Sequence, residues 1–276
     1  MQPRSRAGAR PGERQKGDSV TEDRSVLTRP APAPDAQLRY GPEPEHVADL
    51  WRGRDDHPLI VVLHGGFWRP AYDRRHTRPM AAALRDAGAT VVSVEYRRVP
   101  GDPDLATGDV ATALRVLPAQ AGDHSEVVVT GHSAGGHLAL WAAAAAPAPN
   151  LTTTVALAPV ADLALADELG LGDGATRAFL GGAAATRPDL DPVRLPPPSG
   201  EVVLVHGADD EVVPPALSRS YVEAHPDSTL QNVSGAGHFV LIDPGARAWP
   251  AVSSHLIRSH TSMYNRGGQD GYRRNP

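Results

Sequence analysis

Short β-branched runs alternate with alanine-rich stretches of helical period through most of this chain, and that alternation limits its fold more than any other feature. The runs PLIVVL, TVVSVEYR, SEVVVTG, TTTVALAP and EVVLVHG lack the polar alternation of a half-exposed strand, so both of their faces must be covered. RPMAAALRDAG, with Gly88 as its stop, DVATALRVLPA and HLALWAAAAA read as helices between them. A helix in PALSRSYVEAH, a short strand in STLQNV and a last helix in ARAWPAVSSHLIRS follow. Buried strands alternating with helices predict an α/β fold, a mostly parallel central sheet flanked by helices and joined by right-handed crossovers. In such sheets ligands bind outside the carboxyl ends of the strands. Upstream, LRYGPEPEHVADLWRG supplies two antiparallel edge strands.

With 276 residues, 41% of them hydrophobic, the chain suits one large α/β domain, which we place at residues 36–260. Residues 1–35 are rich in Arg, Pro, Gly, Ser and Ala and show no hydrophobic period. They read as a disordered tail, unless translation starts downstream at Val20 or Val26. Residues 261–276 read as a flexible tail. Residues 161–200 carry weak helical patterns broken by Gly and Pro, and read as a small cap-like insertion over the site. The absence of cysteine excludes thiolate chemistry and cysteine-ligated zinc, and a net charge of −5 provides no basic field for nucleic acid. No apolar run is long enough to span a bilayer, and the polar first residues lack a signal-peptide core. The expectation is a cytoplasmic protein with neither nucleic acid nor membrane as partner.

The stretch GHSAGGH, residues 131–137, places Ser133 between a buried strand and a helix, with glycines two positions before and two after. A nucleophile on a sharp strand-to-helix turn needs that pattern, because its strained backbone leaves room only for small residues at the flanking positions. The competing reading is that Ser133 merely caps the helix.

A serine hydroxyl becomes an effective nucleophile when a neutral imidazole takes its proton and a carboxylate orients the imidazole. Downstream, EVVLVHGADDEVVP ends a buried strand in Asp209, Asp210 and Glu211, and STLQNVSGAGHF ends a short strand in a glycine turn and His238. Of the three carboxylates we assign Asp210, four residues after His206 and just ahead of Val213-Pro214, while Asp209 and Glu211 remain competitors. Twelve histidines are present; His132 and His137 lie on the wrong sides of the elbow to reach its oxygen. His57, His76, His124, His225, His255 and His260 fall on expected surface turns or helices. After PLIVVL comes His64-Gly65-Gly66-Phe67-Trp68, whose glycines let backbone N–H groups face inward. The N–H groups of Gly66 and Phe67, with that of Ala134, are the expected oxyanion donors. His64 and Gly65 would support this loop, and Trp68 is either a wall for a flat substrate group or core. Glu95, Tyr96 and Arg97 read as structural, with ion pairing around a strand end.

Taken in order, HGGFW, VEYRRVP, GHSAGGH, HGADDEVVP and GAGHF make the chain, from about Leu38 to Ser259, resemble the α/β-hydrolase superfamily. They look most like its small esterase and arylformamidase-like branch, which includes kynurenine formamidases. The resemblance implies an α/β-hydrolase fold and a serine hydrolase acting on a small carboxylic ester or aryl-formamide. It maps nucleophile, acid and base onto Ser133, Asp210 and His238, with no metal or organic cofactor. An acyltransferase on the same residues, or a non-catalytic fold member that binds a small ligand, are the alternatives.

Overall fold

The computed structural model describes residues 22–257. Eight strands, β1 (Ala36–Arg39), β2 (Val47–Trp51), β3 (Leu59–Leu63), β4 (Thr90–Val94), β5 (Val127–His132), β6 (Leu151–Leu157), β7 (Glu201–Gly207) and β8 (Thr229–Val233), form one sheet. Their order is β1-β2-β4-β3-β5-β6-β7-β8. β2 runs antiparallel to both β1 and β4, and every other neighbouring pair is parallel. The two antiparallel edge strands and the parallel centre agree with the sequence patterns.

Every residue of β3 is buried, and successive side chains go to opposite faces. Leu59, Val61 and Leu63 pack with Val110 and Leu114 of α2 (Pro103–Ala121) and Leu138 of α3 (Ala134–Ala145). Ile60 and Val62 pack on the other face with Met80 and Leu84 of α1 (Arg78–Asp86) and Val252 and Leu256 of a C-terminal helix, Trp249–Leu256. Covering on both faces is what an unbroken apolar strand requires. Because β3 lies between β4 and β5, the chain reverses its direction of progress across the sheet at that point. The carboxyl ends of β3 and β5 therefore open onto the crevice where such sheets bind ligands.

Between β6 and β7 lie α4 (Leu163–Glu168), α5 (Leu171–Leu180) and three short 3-10 turns. Asp162 caps α4, its side chain accepting from Leu165 N at 2.8 Å, and Asp191 accepts from Leu163 N at 2.9 Å. Phe179, Leu180 and Leu190 of this segment join the main core. α6 (Ala216–Ala224) lies between β7 and β8, and the helix Trp249–Leu256 after β8 is α7.

The expectation of disorder over residues 1–35 needs correction from residue 22 onward. A 3-10 turn, Ser25–Thr28, lies against the body of the protein, with Val26 only 2% exposed inside the core. Arg29 pairs with Asp243 through two contacts, one of them Nη2 to Oδ2 at 2.8 Å. Val26, the partly buried Leu27, the Arg29–Asp243 pair and the bond from His238 N to Glu22 Oε1 hold this polar stretch, a signal too short to register as a hydrophobic period. Residues 1–21 and the expected tail at 261–276 lie outside the described residues. No helix among the described residues is long and apolar enough to cross a membrane.

Candidate active site

Ser133 stands between the end of β5 and the start of α3 with φ 58° and ψ −118°, a backbone conformation that non-glycine residues avoid. Its N–H donates to Leu157 O at 2.8 Å, and its carbonyl accepts from His137 N at 3.0 Å and Val160 N at 3.2 Å. These bonds hold the strained turn in place. A Cβ on Gly131 would lie 2.1 Å from the carbonyl oxygen of Gly135, and one on Gly135 would lie 2.1 Å from that of Leu63. Both flanking glycines are thus required by backbone crowding. Ser133 occupies the position of a helix cap without acting as one, since its side chain makes no capping bond. Its Oγ is buried and has no hydrogen-bond partner among the described residues.

His238, 1% exposed, follows β8 on the Gly235–Gly237 turn. Its Nδ1 lies 2.7 Å from Asp210 Oδ2, which fixes Nδ1 as the protonated nitrogen and leaves Nε2 as the basic one. The other oxygen of Asp210 accepts from Val212 N at 2.9 Å and Val213 N at 2.8 Å. Burial alone would raise the Asp210 carboxyl; hydrogen bonds from His206 and His238 and the N–H of Val213 outweigh it and hold the group well below the usual carboxylate range. His206 in turn contacts Ser218 Oγ through Nδ1 at 2.7 Å and Val213 O through Nε2 at 2.8 Å. Asp209 and Glu211, the competing carboxylates, are exposed.

Ser133 and His238 line one cavity of about 60 Å³, but no hydrogen bond joins them. Hydrogen bonds of this kind are often long in unliganded enzymes and tighten around the substrate.

His132 spans the gap behind them. Its ring packs against that of His238 at a centroid distance of 4.3 Å, and its Nε2–H donates to His238 O at 3.0 Å. Burial, reinforced by the nearby His238, pushes its imidazole well below its ordinary value, so it stays neutral.

After β3, Gly66, Phe67 and Trp68 all have positive φ, at 116°, 50° and 53°. The turn is closed by Arg69 N donating to Gly66 O at 3.0 Å. A Cβ on Gly65 would lie 2.8 Å from His132 O and 3.2 Å from Ser133 Cβ, so this loop is seated directly on the elbow. Ala134 begins α3, where backbone N–H groups have no partner inside the helix. His64 contacts Gly65 O through Nδ1 at 2.8 Å and Glu95 Oε1 through Nε2 at 3.0 Å, and stacks on Tyr96 at 4.3 Å. Glu95 also accepts from Arg74 and pairs with Arg98, while Arg97 pairs with Asp109 at 2.6 Å. Burial would raise the Glu95 carboxyl, yet His64 and Arg98 hold it well below its usual range.

Trp68 does not line the cavity. It is 3% exposed and stacks on Phe179 at 4.5 Å, so it is core, and its neighbour Phe67 faces the cavity instead. The positive φ at both residues turns the chain so that Phe67 is carried toward Ser133 and Trp68 inward. Three histidines expected at the surface are elsewhere. His76 lines the cavity, its imidazole pushed down to about 3 by burial and by the nearby His64. His124 and His225 are both 9% exposed, the latter contacting Pro192 O at 3.0 Å, because neighbouring loops fold over them. His260 lies outside the described residues. Arg24, Leu27, Tyr72 and Phe239 also line the cavity. No spacing in the sequence singled out these four.

Residues 60–191 match the model of a family described as having the alpha/beta hydrolase fold. An acetyl-hydrolase of Streptomyces hygroscopicus is 37% identical over 116 residues, covering 40% of this chain and 38% of that protein. Esterase LipC of Mycobacterium tuberculosis is 26% identical over 265 residues, covering 82% of this chain and 65% of that protein. A kynurenine formamidase of Danio rerio is 36% identical over 85 residues, covering 30% of this chain and 29% of that protein. The chain thus spans less than two thirds of the length of each of these relatives. Among solved structures, esterase B from Lactobacillus rhamnosis superposes with a TM-score of 0.64 at 22% identity, covering 83% of this chain and 86% of that one. An acetyl ester-xyloside bifunctional hydrolase from Caldicellulosiruptor lactoaceticus superposes with a TM-score of 0.65 at 18% identity, covering 80% and 94%.

Proposed function

From the premise that this chain has the α/β-hydrolase fold, we propose that it is a serine hydrolase cleaving a small carboxylic ester or aryl-formamide through an acyl-enzyme on Ser133. One observation carries the reading. A strained, buried and unpartnered serine hydroxyl shares a cavity with a histidine whose far nitrogen is held at 2.7 Å by a buried carboxylate. A buried polar group without a partner costs on the order of 1–3 kcal/mol, as does a strained backbone, and both persist mainly where the strain serves chemistry.

In this reading Ser133 Oγ attacks the carbonyl carbon while His238 Nε2 takes its proton and Asp210 stabilises the imidazolium. The oxyanion accepts from the N–H groups of Gly66, Phe67 and Ala134. Collapse of the tetrahedral intermediate expels the leaving group, protonated by His238, and leaves the acyl group on Ser133. Water, deprotonated by His238, then attacks the acyl-enzyme ester, and His238 gives that proton to Ser133 Oγ as the acyl–oxygen bond breaks and the acid leaves. The chemistry draws on no organic cofactor.

A cavity of about 60 Å³ is well under the roughly 150 Å³ that holds a benzene molecule, which favours a small acyl group inside and the leaving group toward the mouth. We read residues 161–200 as a cap-like insertion on the single domain at 36–260. Its Gly172 lies against the Phe67 ring, and Gly172 O accepts from Arg69. The substrate is taken to be a soluble small molecule met in the cytoplasm.

A panel of short p-nitrophenyl esters, a feruloyl ester, N-formylkynurenine and aminoacyl anilides tests the reading against Ser133→Ala. At least one substrate is expected to turn over roughly 1,000-fold or more faster with the wild type. Equal rates across the panel would contradict it. Product partition in the presence of added alcohols or amines separates hydrolysis from acyl transfer.

A further inference from the structure

Resting on the hydrolase reading, we infer that Arg24 is a specificity-determining residue that selects substrates carrying a carboxylate on the leaving group.

Arg24 belongs to the short stretch ahead of the sheet, yet it lines the same cavity as Ser133 and His238. Its position is fixed from both sides. Two residues earlier, Glu22 Oε1 accepts from the backbone N–H of His238 at 2.6 Å, and two residues later Val26 is buried in the core. Arg24 O accepts from Leu27 N at 3.0 Å, closing the turn. The guanidinium carbon lies 5.2 Å from the centroid of the Phe239 ring, and that ring meets His238 edge-on at 5.0 Å. The cation is therefore connected to His238 through one aromatic side chain.

Arg24 forms no ion pair with a carboxylate among the described residues. Of the other arginines near the site, Arg29 pairs with Asp243, Arg74 with Asp49 and Arg98 with Glu95, while Arg69 lies over the Phe67 ring and donates to Gly172 O. Of the described residues lining the cavity, Arg24 is the only one bearing a permanent charge, since half-buried His76 and buried His132 stay neutral. The cation–π contact with Phe239 occupies one face of the guanidinium and leaves its planar donor fork free to meet a carboxylate.

Position decides which half of the substrate carries the anion. Ser133 is buried in the narrow interior and Arg24 is exposed at the rim, so a small acyl group held at Ser133 sends its leaving group toward Arg24. Glu22 adds a negative charge nearby, but its carboxylate is engaged by the His238 N–H.

The test compares 4-acetoxybenzoate with 4-acetoxybenzamide, whose leaving groups differ in charge, using wild type, Arg24→Gln and Arg24→Lys. Taking the ratio of kcat/KM for the two esters within each protein, and then comparing proteins, cancels their intrinsic reactivities. The ratio is expected to fall roughly 5- to 20-fold in Arg24→Gln and to be largely kept in Arg24→Lys. Calorimetric binding of 4-hydroxybenzoate against 4-hydroxybenzamide reads the same charge preference without any turnover. A ratio and a binding preference that are the same in Arg24→Gln as in wild type would overturn the inference. Two esters that turn over no faster with wild type than with Ser133→Ala would overturn the hydrolase reading instead, while the binding preference still reports on Arg24.

Discussion

His238 Nδ1 and Asp210 Oδ2 lie 2.7 Å apart although 28 positions separate them in the chain. β7 and β8 pair in parallel, and the loops leaving their carboxyl ends bring the two side chains together. The contact leaves His238 one tautomer, with its basic nitrogen directed away from Asp210.

Asp210→Asn tests that dependence. The carboxylate takes two backbone N–H bonds on one oxygen and the imidazole on the other. An amide satisfies the backbone donors with its oxygen and then presents N–H groups to His238, favouring the wrong tautomer. A loss in kcat of about 1,000- to 10,000-fold with the fold retained is expected, measured on whichever ester turns over best.

Two glycines should respond in opposite ways to the same substitution. Gly135→Ala places a methyl 2.1 Å from Leu63 O and 2.5 Å from His64 O, both fixed backbone atoms, and should cost about 3 kcal/mol or more. Gly108 sits on an exposed part of α2 where an added methyl would meet nothing within 4 Å, so Gly108→Ala should stabilise by roughly 0.5–1 kcal/mol. Denaturant titrations of both variants check the pair.

Much of this arrangement is legible in the residues because local and global signals agree. Leu59–Leu63 reads as a two-faced buried strand and is one; the glycines around Ser133 read as a steric requirement, and a Cβ on Gly131 or Gly135 would lie 2.1 Å from a backbone oxygen. Other features depend on contacts that no local pattern encodes. Trp68 and Phe67 are adjacent, and only the two positive φ values decide which is core and which faces the cavity. Arg24 lies in a polar, proline-bearing stretch, where Val26 and the distant partner Asp243 supply the order. His76 shares its surroundings with Glu95 and His64, residues 12 to 19 positions away, and nothing in its own segment marks it as part of the site.

Acid should weaken the fold through His137. This side chain is fully buried, with Nε2 2.9 Å from Leu190 O and Nδ1 unpartnered, and burial lowers its imidazole from 6.5 to about 4. Between those values the unfolded chain binds a proton that the folded chain does not, so stability falls as pH drops from 6.5 towards 4. Buried His132 acts in the same direction. In His137→Gln the slope of unfolding free energy against pH should be shallower in this window by up to about 1.4 kcal/mol per pH unit, read from urea titrations at several pH values.

Glu95→Gln should loosen the support behind the oxyanion loop. The buried carboxylate bridges His64, Arg74 and Arg98, and Arg74 is itself buried against Asp49. Removing the charge leaves the guanidinium of Arg98 without its partner, at a cost of about 3–5 kcal/mol in unfolding free energy. Thermal and urea unfolding measure it.

The central claim is that Ser133 is an activated nucleophile, and labelling by a fluorophosphonate reads that directly. Intact mass followed by peptide mapping should find one adduct per chain on the peptide containing Ser133, none in folded Ser133→Ala, and much slower labelling in Asp210→Asn. Folded wild-type protein that takes up no label, or that labels as fast as Ser133→Ala, would contradict the account.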